Sequence, residues 1–185
     1  KNTIYTANTF MSKGVLPNEH KLSLFTVGMQ AKDYVMCYFE KADLVITIGY
    51  DIVEYAPSFW NPKKDKKIVH IGSEPCEVEE HYQVDVELIG DIKYTLEKLT
   101  ELSGFNKGSD YAKRLREIII KDFGSYENNM DFPLKPQKVL LDLRKAMKNQ
   151  DILISDVGAH KIWISRMFKA IEPNTVIISN GFAAM

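Results

Sequence analysis

Cysteine is scarce in this sequence: Cys37 and Cys76 are the only two among 185 residues, and they stand far apart. Two such thiols build no disulfide framework, no C-x-x-C redox pair and no zinc-ligand spacing. Both are expected to be reduced, as in a cytoplasmic protein. Net charge is lacking too, since 24 Lys and Arg stand against 25 Asp and Glu, leaving -1. No global field therefore draws the chain to nucleic acid or to an acidic membrane surface. No apolar run approaches the roughly 20 residues that cross a bilayer, and no charged-then-apolar leader opens the chain. Internal repeats and low-complexity stretches are missing, as is the G-x-G-x-x-G of a dinucleotide fingerprint. The basic run Lys63-Lys64-Asp65-Lys66-Lys67 has no interleaved aromatics, so it reads as a solvated loop rather than a phosphate patch.

What is present is an ordinary globular balance, 45% hydrophobic and 26% charged, long enough to bury a sizeable core. Strand-like and helix-like runs alternate, which predicts an α/β layer structure on a parallel sheet. A short strand is predicted at 3–7, followed by a loop punctuated by Gly14, Pro17 and Asn18. Ala31, Tyr34, Val35, Tyr38, Phe39 and Ala42 then recur at helical spacing, an apolar face best read as core packing. Three β-branched runs follow, at 44–48, 67–71 and 84–89, each ending in a glycine: Gly49, Gly72 and Gly90. In open α/β sheets ligands bind beyond the carboxyl ends of the strands. A helix with Ile92, Leu96 and Leu99 on one side is expected to stop at Gly104.

A second helix carries Leu115, Ile118, Ile119 and Phe123, and residues 124–136 have linker composition. Beyond them come a helix with Val139, Leu143, Ala146 and Met147, a strand at 152–155, a helix from Gly158 with Ile164, Met167, Phe168 and Ile171 inward, and a strand at 175–179. The expected division is a first domain over 1–105, a helix and linker over 106–136, and a second segment over 137–185. That segment has too few strands for a stable sheet of its own. A start at Lys1 without methionine and an end at Met185 just after a strand-like run lead to the expectation that the chain is a fragment. His70, inside a strand, reads as a satisfied core histidine, His20 and His81 as loop residues, and Trp60 and Trp163 as packing residues.

Two stretches carry candidate chemistry. Asp156-Val157-Gly158-Ala159-His160-Lys161-Ile162-Trp163 joins a buried strand to a helix. The first N–H groups of a helix lack intrahelical partners and favour an anion. Gly158 permits close approach, and His160 adds a donor, which suits a phosphate or diphosphate. The competing reading is that Asp156 only caps the helix and His160 lies on its surface. The second stretch, residues 173–185, is a strand that empties through Ser179, Asn180, Gly181, Phe182, Ala183 and Ala184 into Met185. Small residues leave room for a flat ring, and a methionine is an adaptable apolar support.

Together these stretches resemble the opening of the C-terminal, diphosphate-binding domain of the acetolactate synthase family, which uses thiamine diphosphate. There one strand ends in a motif like D-V-G-x-H-x-x-W and the next in one like S-G-G-L-G-T-M. The first stands here as Asp156, Val157, Gly158, His160 and Trp163. The second stands as Ser179, Gly181 and Met185, with Asn180, Phe182, Ala183 and Ala184 as departures. Gly49-Tyr50-Asp51, Glu54-Tyr55, Phe59-Trp60-Asn61 and Glu87-Leu88-Ile89-Gly90-Asp91 extend the likeness, most like the catabolic, pyruvate-condensing branch.

The resemblance implies a Rossmann-like central domain followed by a partial thiamine diphosphate-binding domain. It implies condensation of two pyruvate to 2-acetolactate with loss of carbon dioxide, in a cytoplasmic homodimer or homotetramer. Gly158, Ala159 and His160 would approach the diphosphate, Ala183 would offer a carbonyl to the aminopyrimidine, and Met185 would hold the two rings in a bent shape. The family's Mg²⁺ ligands and its activating glutamate would lie outside this stretch, so no metal ligand or general base is assigned. The fragment alone is expected to be inactive. Flavin adenine dinucleotide (FAD), held by many family members, is not expected here: their G-M-H-G reads Gly28-Met29-Gln30-Ala31, and no arginine follows Gly49-Tyr50-Asp51. Another thiamine diphosphate enzyme, such as a pyruvate oxidase or a 2-keto acid decarboxylase, is the alternative within the superfamily. A non-catalytic nucleotide-binding module is the alternative outside it.

Overall fold

The computed structural model describes residues 3–28, 34–102, 108–179 and 181. The chain folds into two compact units that do not follow chain order: one comprises 1–4 and 36–108, the other 5–35 and 109–185.

The first unit is built on three parallel strands, β3 (Leu44–Ile48), β4 (Lys67–Gly72) and β5 (Val86–Ile89), in the order β3-β4-β5. Ile46 pairs with Val69, and Val69 with Val86. The predicted glycine edge is real. Gly49 N–H donates to the Ile71 carbonyl at 2.8 Å and Gly90 N–H to the Gly72 carbonyl at 2.9 Å, so the ladder runs out at these residues. Helix α1 (Tyr34–Lys41) leads into β3, and α3 (Ile92–Glu101) follows β5. Asp91 starts α3 by accepting the Tyr94 N–H at 2.6 Å, so one orphan donor of the first turn is satisfied. Residues 103–107, with the predicted stop at Gly104, lie outside the described residues.

A polar core sits within this sheet. His70 is 4% exposed, and its Nδ1 lies 2.9 Å from the Tyr82 hydroxyl, which also bonds the Thr47 hydroxyl. The reading of His70 as a satisfied core histidine holds. Trp60, buried, donates its indole N–H to the Tyr50 hydroxyl at 3.1 Å. The short helix α2 (Pro57–Trp60) that delivers it was not predicted, because four residues show no periodicity; proline at its first turn sets the geometry instead. His81 is only half-buried and is paired with Glu79 at 3.1 Å rather than simply solvated. The basic run is likewise engaged locally, Lys64 with Glu80 and Lys66 with Asp65.

The second unit contains β1 (Thr6–Asn8), β2 (Ser23–Thr26), α4 (Asp110–Ser125), α5 (Pro136–Ala146), β6 (Leu153–Ser155), α6 (Ala159–Met167) and β7 (Val176–Ile178). Strand β2 was expected as loop. Its four residues Ser23-Leu24-Phe25-Thr26 are all buried, so no alternation marks it, and Phe25 breaks regular geometry with a φ of 65°. Arg116 of α4 holds this strand in place. It donates to the carbonyls of Ser23 (2.6 Å), Asn18 (3.1 Å) and Glu19 (3.3 Å), and its guanidinium lies 5.0 Å from the Phe25 ring. Helix α4 runs through Gly124, so the linker is shorter than its composition suggested. The core gathers Phe10, Leu140, Ile164, Met167, Phe168, Ala170, Val176 and Ile178. Each such large side chain, once buried, stabilises by about 1.5–3 kcal/mol.

Candidate functional site

Strands β6 and β7 lie side by side and parallel, with Leu153 opposite Val176, Ile154 opposite Ile177 and Ser155 opposite Ile178. Their β-branched residues suit a pleated, half-buried surface. Ser155, Val176 and Ile178 face the core, while Ile154 and Ile177 are exposed. The pairing continues past the strands: Ser179 N–H donates to the Ser155 carbonyl at 2.8 Å. The two predicted stretches therefore leave the sheet at the same edge, one through Asp156 and Val157 into α6, the other through Ser179.

Helix α6 opens at Gly158, with φ 148° and ψ -174°, a residue that has no side chain of its own to cap the helix. Asp156 Oδ1 accepts the Val157 N–H at 2.8 Å, one residue on. Gly158, Ala159 and His160 are exposed there. The His160 imidazole lies over Gly158 so closely that an added Cβ would stand 2.8 Å from its Cε1 and 3.0 Å from its Nδ1. A side chain at 158 would also be strained at this φ. The His160 imidazole and the backbone N–H groups of the first turn thus stand together at the positive end of the helix dipole. These residues fit a diphosphate.

Of the five predicted site residues, Gly158, Ala159 and His160 are brought together here. Ala183 and Met185 lie outside the described residues. Two polar side chains that the sequence did not flag stand at the other end of α6. Lys13 Nζ donates to the Ser165 carbonyl at 2.7 Å and to the Thr26 hydroxyl at 3.3 Å, and Asn18 Oδ1 accepts the Ala170 N–H at 2.9 Å. Burial pulls the Lys13 ammonium down to about 7. No local signal marked either residue, because both contacts span 152 positions. Among the described residues, no group of three or more His, Cys, Asp or Glu is placed to hold a metal ion, and no helix is long and apolar enough to cross a membrane.

Parallel strands joined by helices place the chain among the α/β proteins. Comparison with known families narrows it: residues 1–99 match the central domain of the thiamine pyrophosphate enzymes. The chain belongs to that family, and membership implies thiamine pyrophosphate, that is thiamine diphosphate, as cofactor. The chain is 31% identical over 185 residues to an acetolactate synthase of Bacillus subtilis (strain 168), covering 96% of the chain and 32% of that protein. It is 32% identical over 192 residues to a catabolic acetolactate synthase of Raoultella terrigena, covering 98% and 34%. A probable acetolactate synthase large subunit of Methanocaldococcus jannaschii is 28% identical over 204 residues, covering 98% and 32%. The chain thus spans about a third of the length of these relatives.

Proposed function

We propose that this chain is part of an acetolactate synthase that condenses two pyruvate molecules into 2-acetolactate with release of carbon dioxide. The observation that carries this is the start of α6 at Gly158, set beside the end of β7 by the Ser179–Ser155 hydrogen bond. The likeness to three proteins named as acetolactate synthases supports the choice of reaction.

When bound, thiamine diphosphate supplies an electron sink for decarboxylating a 2-keto acid. The part of this chain is to bind and orient. Backbone N–H groups at Gly158 and Ala159, with the His160 imidazole, receive the diphosphate. Ala183 would offer a carbonyl to the aminopyrimidine, and Met185 would wedge between the two rings and hold the cofactor bent. Mg²⁺ is held by residues outside this chain. The segment 1–105 serves as central domain, 106–136 as helix and linker, and 137–185 as the beginning of the diphosphate-binding domain. The full protein acts in the cytoplasm as a homodimer or homotetramer, and the stretch by itself does not turn over pyruvate.

No FAD is part of this proposal. The strands of the first unit run out into Gly49-Tyr50-Asp51, Gly72-Ser73-Glu74 and Gly90-Asp91. Acidic residues thus follow all three, and a dinucleotide pyrophosphate would meet like charge. Asp51 accepts its own loop's Val53 N–H at 2.8 Å, and the Tyr50 hydroxyl turns inward to Trp60.

The test is calorimetric titration of the full-length protein with thiamine diphosphate and Mg²⁺, together with an assay of acetolactate from pyruvate. Saturable binding and acetolactate formation are expected. No binding at millimolar cofactor would remove the proposal. Binding with another product, such as acetaldehyde, would move it to a decarboxylase.

A further inference from the structure

The end of α6 remote from Gly158 is gripped by one loop. Residues 9–18 form successive tight turns, with Ser12 N–H donating to the Thr9 carbonyl at 3.2 Å and Val15 N–H to the Ser12 carbonyl at 3.1 Å. From this loop, Lys13, 3% exposed, sends its amine to the Ser165 carbonyl in the final turn of α6. That carbonyl is among the four that a helix leaves without intrahelical donors. Asn18, 4% exposed, grips the next turn of chain from both sides: its side chain accepts the Ala170 N–H at 2.9 Å and its N–H donates to the Ala170 carbonyl at 3.1 Å. Between them Gly14 approaches so closely that a Cβ would stand 3.0 Å from the Glu172 carbonyl. A buried lysine whose acceptors are a carbonyl and a hydroxyl rather than a carboxylate is costly to keep. Its geometry explains what it does: charged or neutral, the amine donates to a helix carbonyl that lacks an intrahelical donor.

Helix α6 has nine residues, so it is a rigid rod about 14 Å long. Fixing one end of such a rod fixes the other. We propose that Lys13 is a positioning residue for the diphosphate cradle: by holding the Ser165 carbonyl it sets where the opposite end of α6 presents Gly158, Ala159 and His160. This rests on the reading of α6 as the diphosphate helix. Lys13 itself lies within the stretch that matches the family's central domain, whereas α6 lies outside it. The contact therefore ties the cofactor cradle to a segment that supplies none of the cradle's own residues.

The experiment uses the full-length protein and the variant Lys13→Met, which keeps length and apolar stem but removes the amine. Three quantities are measured: the thiamine diphosphate concentration giving half-saturation at fixed Mg²⁺, the KM for pyruvate at saturating cofactor, and the thermal midpoint. Cofactor half-saturation is expected to rise about tenfold, a loss of about 1.4 kcal/mol in binding. KM for pyruvate is expected to stay within about twofold, and the midpoint not to fall, because the variant also relieves a buried amine of its desolvation cost. Unchanged cofactor half-saturation overturns the proposal. So does a lowered midpoint with loss of kcat at saturating cofactor and no cofactor shift, which is the pattern of a merely structural residue. Should Lys13→Met fail to fold, Lys13→Gln carries the same test, with a smaller rise expected and an unchanged value overturning the proposal. If the unaltered protein binds no thiamine diphosphate, the cofactor reading itself fails. If it binds and Lys13→Met binds equally well, only the role of Lys13 fails.

Discussion

The imidazole of His160 covers Gly158, its Cε1 only 2.8 Å from where a methyl group at 158 would sit. The glycine and the histidine are one device, since the space left by the missing side chain is the space into which the ring folds. Gly158→Ala must either push the imidazole out or bend the helix entry, at a backbone φ of 148° that L-residues rarely adopt. Strain of this kind costs about 1–3 kcal/mol. The expected outcome is a lower thermal midpoint for the variant, with weakened thiamine diphosphate binding. A variant that binds cofactor as the parent does would show that this cradle is not the diphosphate site.

His160→Gln separates the ring from the backbone. His160 is exposed. Folding stability should therefore be nearly unchanged, while the cofactor loses one donor but keeps the helix N-terminus. A rise of several-fold in half-saturating thiamine diphosphate is expected, smaller than that of Gly158→Ala. Isothermal titration of both variants under one buffer condition checks the order, and a larger effect for His160→Gln would reverse the assigned roles.

Much of this was legible along the chain because the signals are local. Ile46, Ile68 and Leu88 announce their strands by β-branched or apolar runs, and glycines at 49, 72 and 90 mark where those strands end. Gly158 before Ala159 and His160 likewise marked a strand-to-helix junction that could take an anion. What the sequence could not show is non-local. Strand β2 exists because Ser23 pairs with Thr6 and because Arg116, 93 residues away, donates to the Ser23 carbonyl. Lys13 lies in a loop where nothing in the neighbouring residues signals burial, and only its packing against Ser165 shows it. Segment 5–35 joins residues 109–185 in one compact unit for the same reason: long-range contacts outweigh nearness in sequence.

The Tyr82 hydroxyl is shared between two buried groups, the Thr47 hydroxyl and His70 Nδ1 at 2.9 Å. Burial pushes its pKa up to about 12, so it stays protonated across the usable pH range. Tyr82→Phe removes the shared hydroxyl and leaves both partners short of a bond inside the first unit. An unsatisfied buried polar group costs about 1–3 kcal/mol. Chemical denaturation should show a loss of that size, with thiamine diphosphate affinity unaltered. A stability loss too small to measure would mean that Thr47 and His70 satisfy each other, as their 3.4 Å separation permits only weakly.

Lys13 also predicts how stability depends on pH. Burial lowers its pKa to about 7 in the folded chain, against 10.5 for an unperturbed lysine. Between these values the unfolded chain holds a proton at this site that the folded chain lacks. Stability then rises with pH across that interval, because the unfolded state binds more protons. Below about 7 both states are charged, and the cost of a buried charge is fully present. Lys13→Met removes the titrating group and so removes this slope. At pH 6, where the parent carries the desolvated charge, the stability of the variant relative to the parent should be at its highest. The advantage should shrink as pH climbs from 7 toward 10. Denaturation midpoints of parent and variant, measured in parallel at pH 6, 7.5 and 9, check the sign. A difference that stays constant over that range would mean that Lys13 remains charged in the folded protein, with its amine held by Ser165 and Thr26 more tightly than burial can oppose.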